Sequence, residues 1–185
     1  MFWRKRSGAV VVQTAYMLRE AVTTPYLNLV TRPTGVAVRG RIESVLATSE
    51  WETAMLDFSD VVLLDLSCAD EVVAKLVRMA KERLGRIVAL RGLDEHLWES
   101  IHAVLEHQQL AVAVLSDGTI TLLGSVPADV HHLFERLEAS TALSIAALSQ
   151  RLDWADERTA EALAAALSLG VCRCASGGYV RLPLA

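Results

Sequence analysis

Reactive side chains are densest in residues 65–75, Asp65-Leu66-Ser67-Cys68-Ala69-Asp70-Glu71-Val72-Val73-Ala74-Lys75. A hydroxyl, a thiol, three carboxylates and an ammonium lie close together there, ahead of and within the start of an apolar helix. Ser67 stands where the free backbone amides of a helix start would stabilise a phosphate. Asp65, Asp70 and Glu71 would repel that phosphate. The structural alternative makes Ser67 an N-cap, with Asp70 and Glu71 as first-turn charges that complement the helix dipole. The favoured use of the turn is a protein-binding edge built from Asp65, Ser67, Cys68, Asp70, Glu71 and Lys75.

No other cluster has the spacing that catalysis or metal binding requires. The chain holds no glycine-rich phosphate loop, no HExxH zinc motif and no GxSxG elbow. His96, His102 and His107 do not align on one helical face, and His131 and His132 are adjacent and point apart. Cys172 and Cys174 alternate along a strand and share a face, but two thiols without further ligands make a weak metal site. The expectation is a protein that is not an enzyme and uses no cofactor and no metal. Arg151, Arg158, Arg173 and Arg181 are a small candidate patch for DNA beside the last hairpin. Arg158 lies among Asp156, Glu157 and Glu161, so nucleic-acid contact is the secondary reading.

The elements that must position these groups follow from periodicity. Val61-Val62-Leu63-Leu64 reads as a buried strand. Val72, Val73, Leu76, Val77 and Ala80 recur at helical spacing, with a glycine stop at Leu84-Gly85. A helix is expected around Val12–Val22. A hairpin is expected from Tyr26–Val30 and Val36–Val38 across Pro33-Thr34-Gly35, and a helix over Arg41–Ser49. Arg86–Leu90 reads as a strand, Asp94–Gln108 as a helix, and Ala111–Leu115 with Thr119–Leu123 as a hairpin across Asp117-Gly118. Strands alternating with helices predict an α/β domain, a mixed sheet covered by helices. Beyond Pro127 come helices over Ala128–Ala139, Ser144–Leu152 and Asp156–Leu169, then a hairpin with its tip at Ala175–Gly178. Three helices and a hairpin in that order predict a small winged-helix (α+β) domain. The expected division is a basic N-terminal segment at 1–25, an α/β domain at 26–124 and a winged-helix-like domain at 125–185.

Composition limits the alternatives. At 185 residues, 52% hydrophobic, with mean hydropathy +0.33, the chain can bury one large core or two small ones. No apolar run approaches the roughly 20 residues of a membrane span, and the start of the chain does not read as a signal peptide. Three cysteines without a secretion signal predict a cytoplasmic location. Charge is uneven. Residues 1–41 carry seven Lys/Arg against Glu20 alone, residues 42–124 six against fourteen Asp/Glu, and residues 125–185 five against seven. A basic head on an acidic body either engages an anionic partner or docks on its own body.

At FSDVVLLDLSCADEVVAKLV the chain resembles the STAS superfamily of bacterial anti-sigma factor antagonists, in particular STAS-like domains whose turn reads Ser-Phe-Ala-Asp-Glu. Here that turn is Ser67-Cys68-Ala69-Asp70-Glu71. Arg86–Leu90 and the helix after it look like the next unit of the same fold, and the resemblance spans residues 26–124. It implies a non-enzymatic bacterial regulator that binds a protein partner, such as a kinase-like anti-sigma factor, and can pair as a homodimer. With Asp65 on the family's aspartate, Leu66 occupies the position of the phosphorylated serine, a departure that leaves Ser67 as the only candidate for phosphorylation there. The last part of the chain separately looks like the winged helix–turn–helix of bacterial regulators. The secondary expectation is a DNA-binding transcription regulator that uses this module and the basic N-terminal segment.

Overall fold

Four parallel strands lie in one sheet: β1 (Arg6–Gln13), β3 (Trp51–Asp57), β5 (Ile87–Arg91) and β6 (Ala111–Ser116), with consecutive residues buried in β3, β5 and β6 as in a sheet covered on both faces. Val12, Leu56, Leu90 and Val114 stand opposite one another in successive strands, all inside the main core. Period-two side-chain alternation puts the whole row on one face. The sheet order is β1-β3-β5-β6-β7, with β7 (Thr119–Gly124) antiparallel at the edge. Asp117 and Gly118, at φ 48 and 76, make the two-residue turn between β6 and β7, as the Asp-Gly pair predicts.

The computed structural model describes residues 6–22, 27–84 and 86–181. They divide into two compact units, Met1–Ser125 and Val126–Leu184. The fold is mixed α/β, with seven helices among the described residues when contiguous helical turns are joined. None of them is long and apolar enough to cross a membrane.

The crossovers of the first unit carry α1 (Thr14–Ala21), the short strand β2 (Asn28–Leu29), α2 (Arg32–Thr48), the short strand β4 (Leu63–Leu64), α3 over residues 66–84, and α4 (Glu95–His107). β2 and β4 pair in parallel as a separate two-stranded sheet. Helix α3 contains two π-wound stretches, Asp70–Ala74 and Ala80–Leu84. Glu71, Val72, Val73 and Ala74 are consecutive and all buried, which a one-faced amphipathic helix would not allow. The helix is enclosed on several sides.

Several expectations are corrected by these elements. The hairpin expected across Pro33-Thr34-Gly35 is the first turn of α2, with Pro33 inside the helix start where its missing N–H costs nothing. Tyr26 lies outside the described residues. Val36 and Val38 are therefore helical, and the expected 41–49 helix is the second half of α2. The expected helix over Val12–Val22 begins only at Thr14, because Val12 and Gln13 finish β1. Val61–Leu64 is not a buried strand of the main sheet: only Leu63–Leu64 pair, and Val62 is 67% exposed. The strand that occupies the sheet is β3, whose sequence WETAMLD opens with the polar pair Glu52-Thr53 and does not read as an apolar strand. Gly85 and residues 1–5, including Arg4 and Lys5 of the basic head, lie outside the described residues.

The second unit follows the expected order closely. It contains α5 (Ala128–Arg136), α6 (Ile145–Leu152), α7 (Asp156–Leu169) and the hairpin β8 (Cys172–Ala175) with β9 (Gly178–Arg181). Ser144 caps α6 by accepting from the Ala147 amide. Asp153, left-handed at φ 54, ends α6, and Gly170, at φ 76, ends α7. Leu143 and Tyr179 exchange two backbone hydrogen bonds of 3.0 and 2.8 Å, so the segment before α6 pairs with β9. Val130, Leu133, Phe134, Leu148, Leu163 and Ala166 are buried, with the Ser149 and Thr159 hydroxyls bonded at 2.9 Å among the buried groups.

Candidate functional site

Two helix starts lie side by side because β2 and β4 pair in parallel and each leads directly into a helix. Asp65, not Ser67, is the N-cap of α3. Its Oδ1 accepts from the Cys68 amide at 2.7 Å and from the Ser67 hydroxyl at 2.8 Å. Its Oδ2 accepts from the Thr31 amide at 2.9 Å, across to the start of α2. Thr31 adopts φ 72 and ψ 137, a conformation that a β-branched residue enters only when its surroundings impose it. The Cys68 thiol donates to the Thr31 carbonyl at 3.0 Å.

These contacts set the chemistry. Burial raises the Asp65 carboxyl, but the Thr31 and Cys68 amides and the Ser67 hydroxyl outweigh it and hold the group below the ordinary carboxylate range. Burial, reinforced by the Asp65 charge, pushes the Cys68 thiol up to about 12. Asp65 is thus an ionised acceptor, Ser67 is committed to it as a donor, and Cys68 is a protonated donor. The three groups position two helices.

A charge cluster continues from this junction. Arg32 Nη1 lies 2.7 Å from Asp70 and 2.6 Å from Glu71, and Lys75 Nζ lies 2.5 Å from Glu71 and 3.6 Å from Asp70. Arg39 approaches the other Glu71 oxygen at 3.5 Å. The Glu71 side chain is 2% exposed, and burial raises both its carboxyl and that of Asp70. The surrounding cations more than offset that effect and hold both groups low, as a buried carboxylate requires. Gly35 lets the helices approach: a Cβ there would sit 2.9 Å from the Glu71 Cβ and 3.2 Å from the Cys68 Cα.

Beside the cluster, Arg32, Leu66 and Asp70 with Val104, His107 and Gln108 border a groove of about 440 Å³. Gln108 accepts from Arg78 at 2.7 Å. Leu66 is 57% exposed, and together with Val62 and Leu63 it puts three large apolar side chains on the surface just before and at the start of α3. The six residues expected to form a binding edge are therefore neighbours with different fates. Asp65, Ser67, Asp70 and Lys75 reach the surface in part, while Cys68 and Glu71 are buried. The exposed apolar trio, Thr31, Arg32 and Arg39 were not anticipated. Leu66 was within view, since it stands between two polar residues at a helix start.

A second polar row was also missed. Asp57 and Arg91 are register partners at the carboxyl ends of β3 and β5, where sites in parallel sheets tend to form. Asp57 Oδ2 accepts from Arg91 Nε at 3.0 Å and Nη2 at 2.8 Å, and Oδ1 accepts from the Ser59 hydroxyl at 2.7 Å and amide at 3.0 Å. Each of these two residues directly follows an apolar run, MLD and ALR, and that was the available signal.

Three of the four arginines named for the second unit have carboxylate or aromatic partners of their own. Arg158 forms a two-point pair with Asp129, at 3.0 and 2.7 Å, and lies 4.1 Å from the Trp154 ring centre. Arg151 pairs with Glu138 at 2.6 Å, and Arg181 lies over Phe134. Arg173 is half-buried in β8. Cys172 is buried and Cys174 exposed, and no group of three metal-binding side chains occurs among the described residues. No family model, no curated protein and no solved structure matches the chain.

Proposed function

We propose that the chain is a regulator that acts by stoichiometric binding of a protein partner, without turnover, through the surface at the start of α3. The observation that carries this reading is the exposed trio Val62, Leu63 and Leu66 beside the groove under Arg32 and His107. Concentrated exposed apolar side chains mark interaction surfaces. Burying three of them against a partner contributes about 5 kcal/mol before the costs of association. The cluster behind them supports binding over chemistry: its carboxylates are held low, its thiol is held protonated, and its cations are paired.

The STAS-like reading of the first unit is supported by the strand–turn–helix unit at 63–84, with Asp65 fixing the helix start. The separate β2–β4 pairing departs from the expected buried strand. Winged-helix character of the second unit is supported by its element order and by the Leu143–Tyr179 pairing ahead of α6. Protein contact is the better use of that unit than DNA contact, because Arg158 on α7 is committed to Asp129 and the exposed start of α7 is acidic.

The test compares the wild type with Val62→Glu and Leu66→Glu by sedimentation in lysate of the native cell. A complex of fixed stoichiometry that both substitutions dissolve, with the free chain's melting unchanged, supports the reading. A complex that survives both substitutions sinks it.

A further inference from the structure

In the second unit, the starts of α6 and α7 and the tip of the β8–β9 hairpin border an open, shallow groove of about 650 Å³. Ile145, Ala146, Ala160 and Tyr179 line it together with Asp156 and Glu157. A close backbone approach lies at one side of the groove. Gly178, at φ 155, lies where a Cβ would come 2.2 Å from the Leu143 carbonyl oxygen, so the hairpin packs directly on the segment that leads into α6.

Charge identifies the occupant. Asp156, Glu157 and, one turn along, Glu161 are exposed and make no ion pair among the described residues. Arg151 and Arg158, the arginines of α6 and α7, are committed to Glu138 and Asp129. Each helix start contributes roughly half a positive charge, so two helix starts about halve the charge of the two lining carboxylates without reversing it. An apolar lining under a net negative potential fits a chain segment that joins a large apolar side chain to flanking lysine or arginine. The same potential opposes duplex DNA, which presents one phosphate charge per roughly 1.7 Å of axis.

We infer that this groove binds a basic, apolar-anchored peptide segment of a protein partner. The inference rests on reading the second unit as a protein-contact module and does not depend on the α3 surface.

The test uses the full chain and fluorescence anisotropy with three labelled probes: a peptide of alternating leucine and arginine, its leucine–glutamate counterpart, and a duplex DNA. The arginine peptide is expected to bind and to weaken as salt rises. Asp156→Lys combined with Glu157→Lys is expected to lower its affinity at least about tenfold. The pair Asp156→Asn and Glu157→Gln keeps the helix start intact, and a smaller loss there guards against misfolding of the reversed variant. Leu66→Glu is expected to leave peptide binding unchanged, which separates this site from the α3 surface. Equal binding of the glutamate peptide, no response to either pair of substitutions, loss on Leu66→Glu, or tighter binding of the duplex would each overturn the assignment.

Discussion

The backbone amide of Thr31 donates to the Asp65 carboxylate at 2.9 Å, so the side chain that caps α3 also fixes the start of α2. One carboxylate thereby satisfies two backbone amides and one hydroxyl and holds Thr31 in a left-handed conformation. Removing it as Asp65→Ala deletes a helix cap and leaves the Thr31 strain uncompensated. The expected cost is about 2–3 kcal/mol in urea denaturation. Asp65→Asn retains one acceptor oxygen and is expected to lose less than half as much. Equal losses would show that one acceptor oxygen is not enough and that the junction needs the second oxygen or the charge.

Gly35 is the second determinant of the junction. In most helices Gly→Ala stabilises by about 1 kcal/mol. Here the new methyl would meet the Glu71 Cβ at 2.9 Å and the Cys68 backbone at 3.2 Å, and neither is the free end of a flexible side chain. Overpacking of that kind costs about 1–3 kcal/mol, so Gly35→Ala is expected to be neutral to destabilising overall. Gly40, with nothing within 4 Å of its added Cβ, is the control and is expected to be stabilised by alanine. The pair is read by comparing denaturation midpoints.

What the sequence made legible was local. The Asp-Gly hairpin, the Asp94-capped helix and the three helices after Pro127 each carry their own stop or cap signals, and each forms. What it hid depends on distant partners. Pro33 and Gly35 fit a turn as well as a helix start, and the contact that explains Gly35 is with Cys68 and Glu71, more than thirty residues away. β3 opens with the polar pair Glu52-Thr53, so the fully apolar run at 61–64 reads as the strand that β3 supplies. The acidic residues of the site were visible in one segment, whereas Arg32, which neutralises them, lies 38 and 39 positions earlier.

Acid is expected to destabilise the first unit in a defined window. Asp57, Asp65, Asp70 and Glu71 all titrate below their ordinary values when folded, because hydrogen bonds and cations outweigh burial. Each therefore contributes stability that is fully present above the unfolded carboxylate range, near pH 4, and is lost as pH falls through the folded values. Urea midpoints are expected to stay level from pH 7 to about 5 and to fall below about 4. Replacing Asp70 by Asn should flatten that fall. A decline that begins near pH 6 would point to histidine instead and would contradict this account.

Thiol reactivity distinguishes Cys174 from the two buried cysteines and tests the junction at the same time. Cys174 is exposed near the hairpin tip, while Cys68 and Cys172 are buried, and burial pushes both of their thiols up to about 12. The thiolate is the reactive form, so at pH 8 the buried pair is protected twice, by access and by protonation. One thiol per chain is expected to react promptly with a disulfide reagent under native conditions, and all three after denaturation. Cys174→Ser should abolish the prompt phase. Asp65→Ala should open a second phase assigned to Cys68, because losing the cap frees the start of α3 where that thiol donates to Thr31. Prompt reaction of Cys68 in the unaltered chain would mean that the two helix starts are not held together by Asp65.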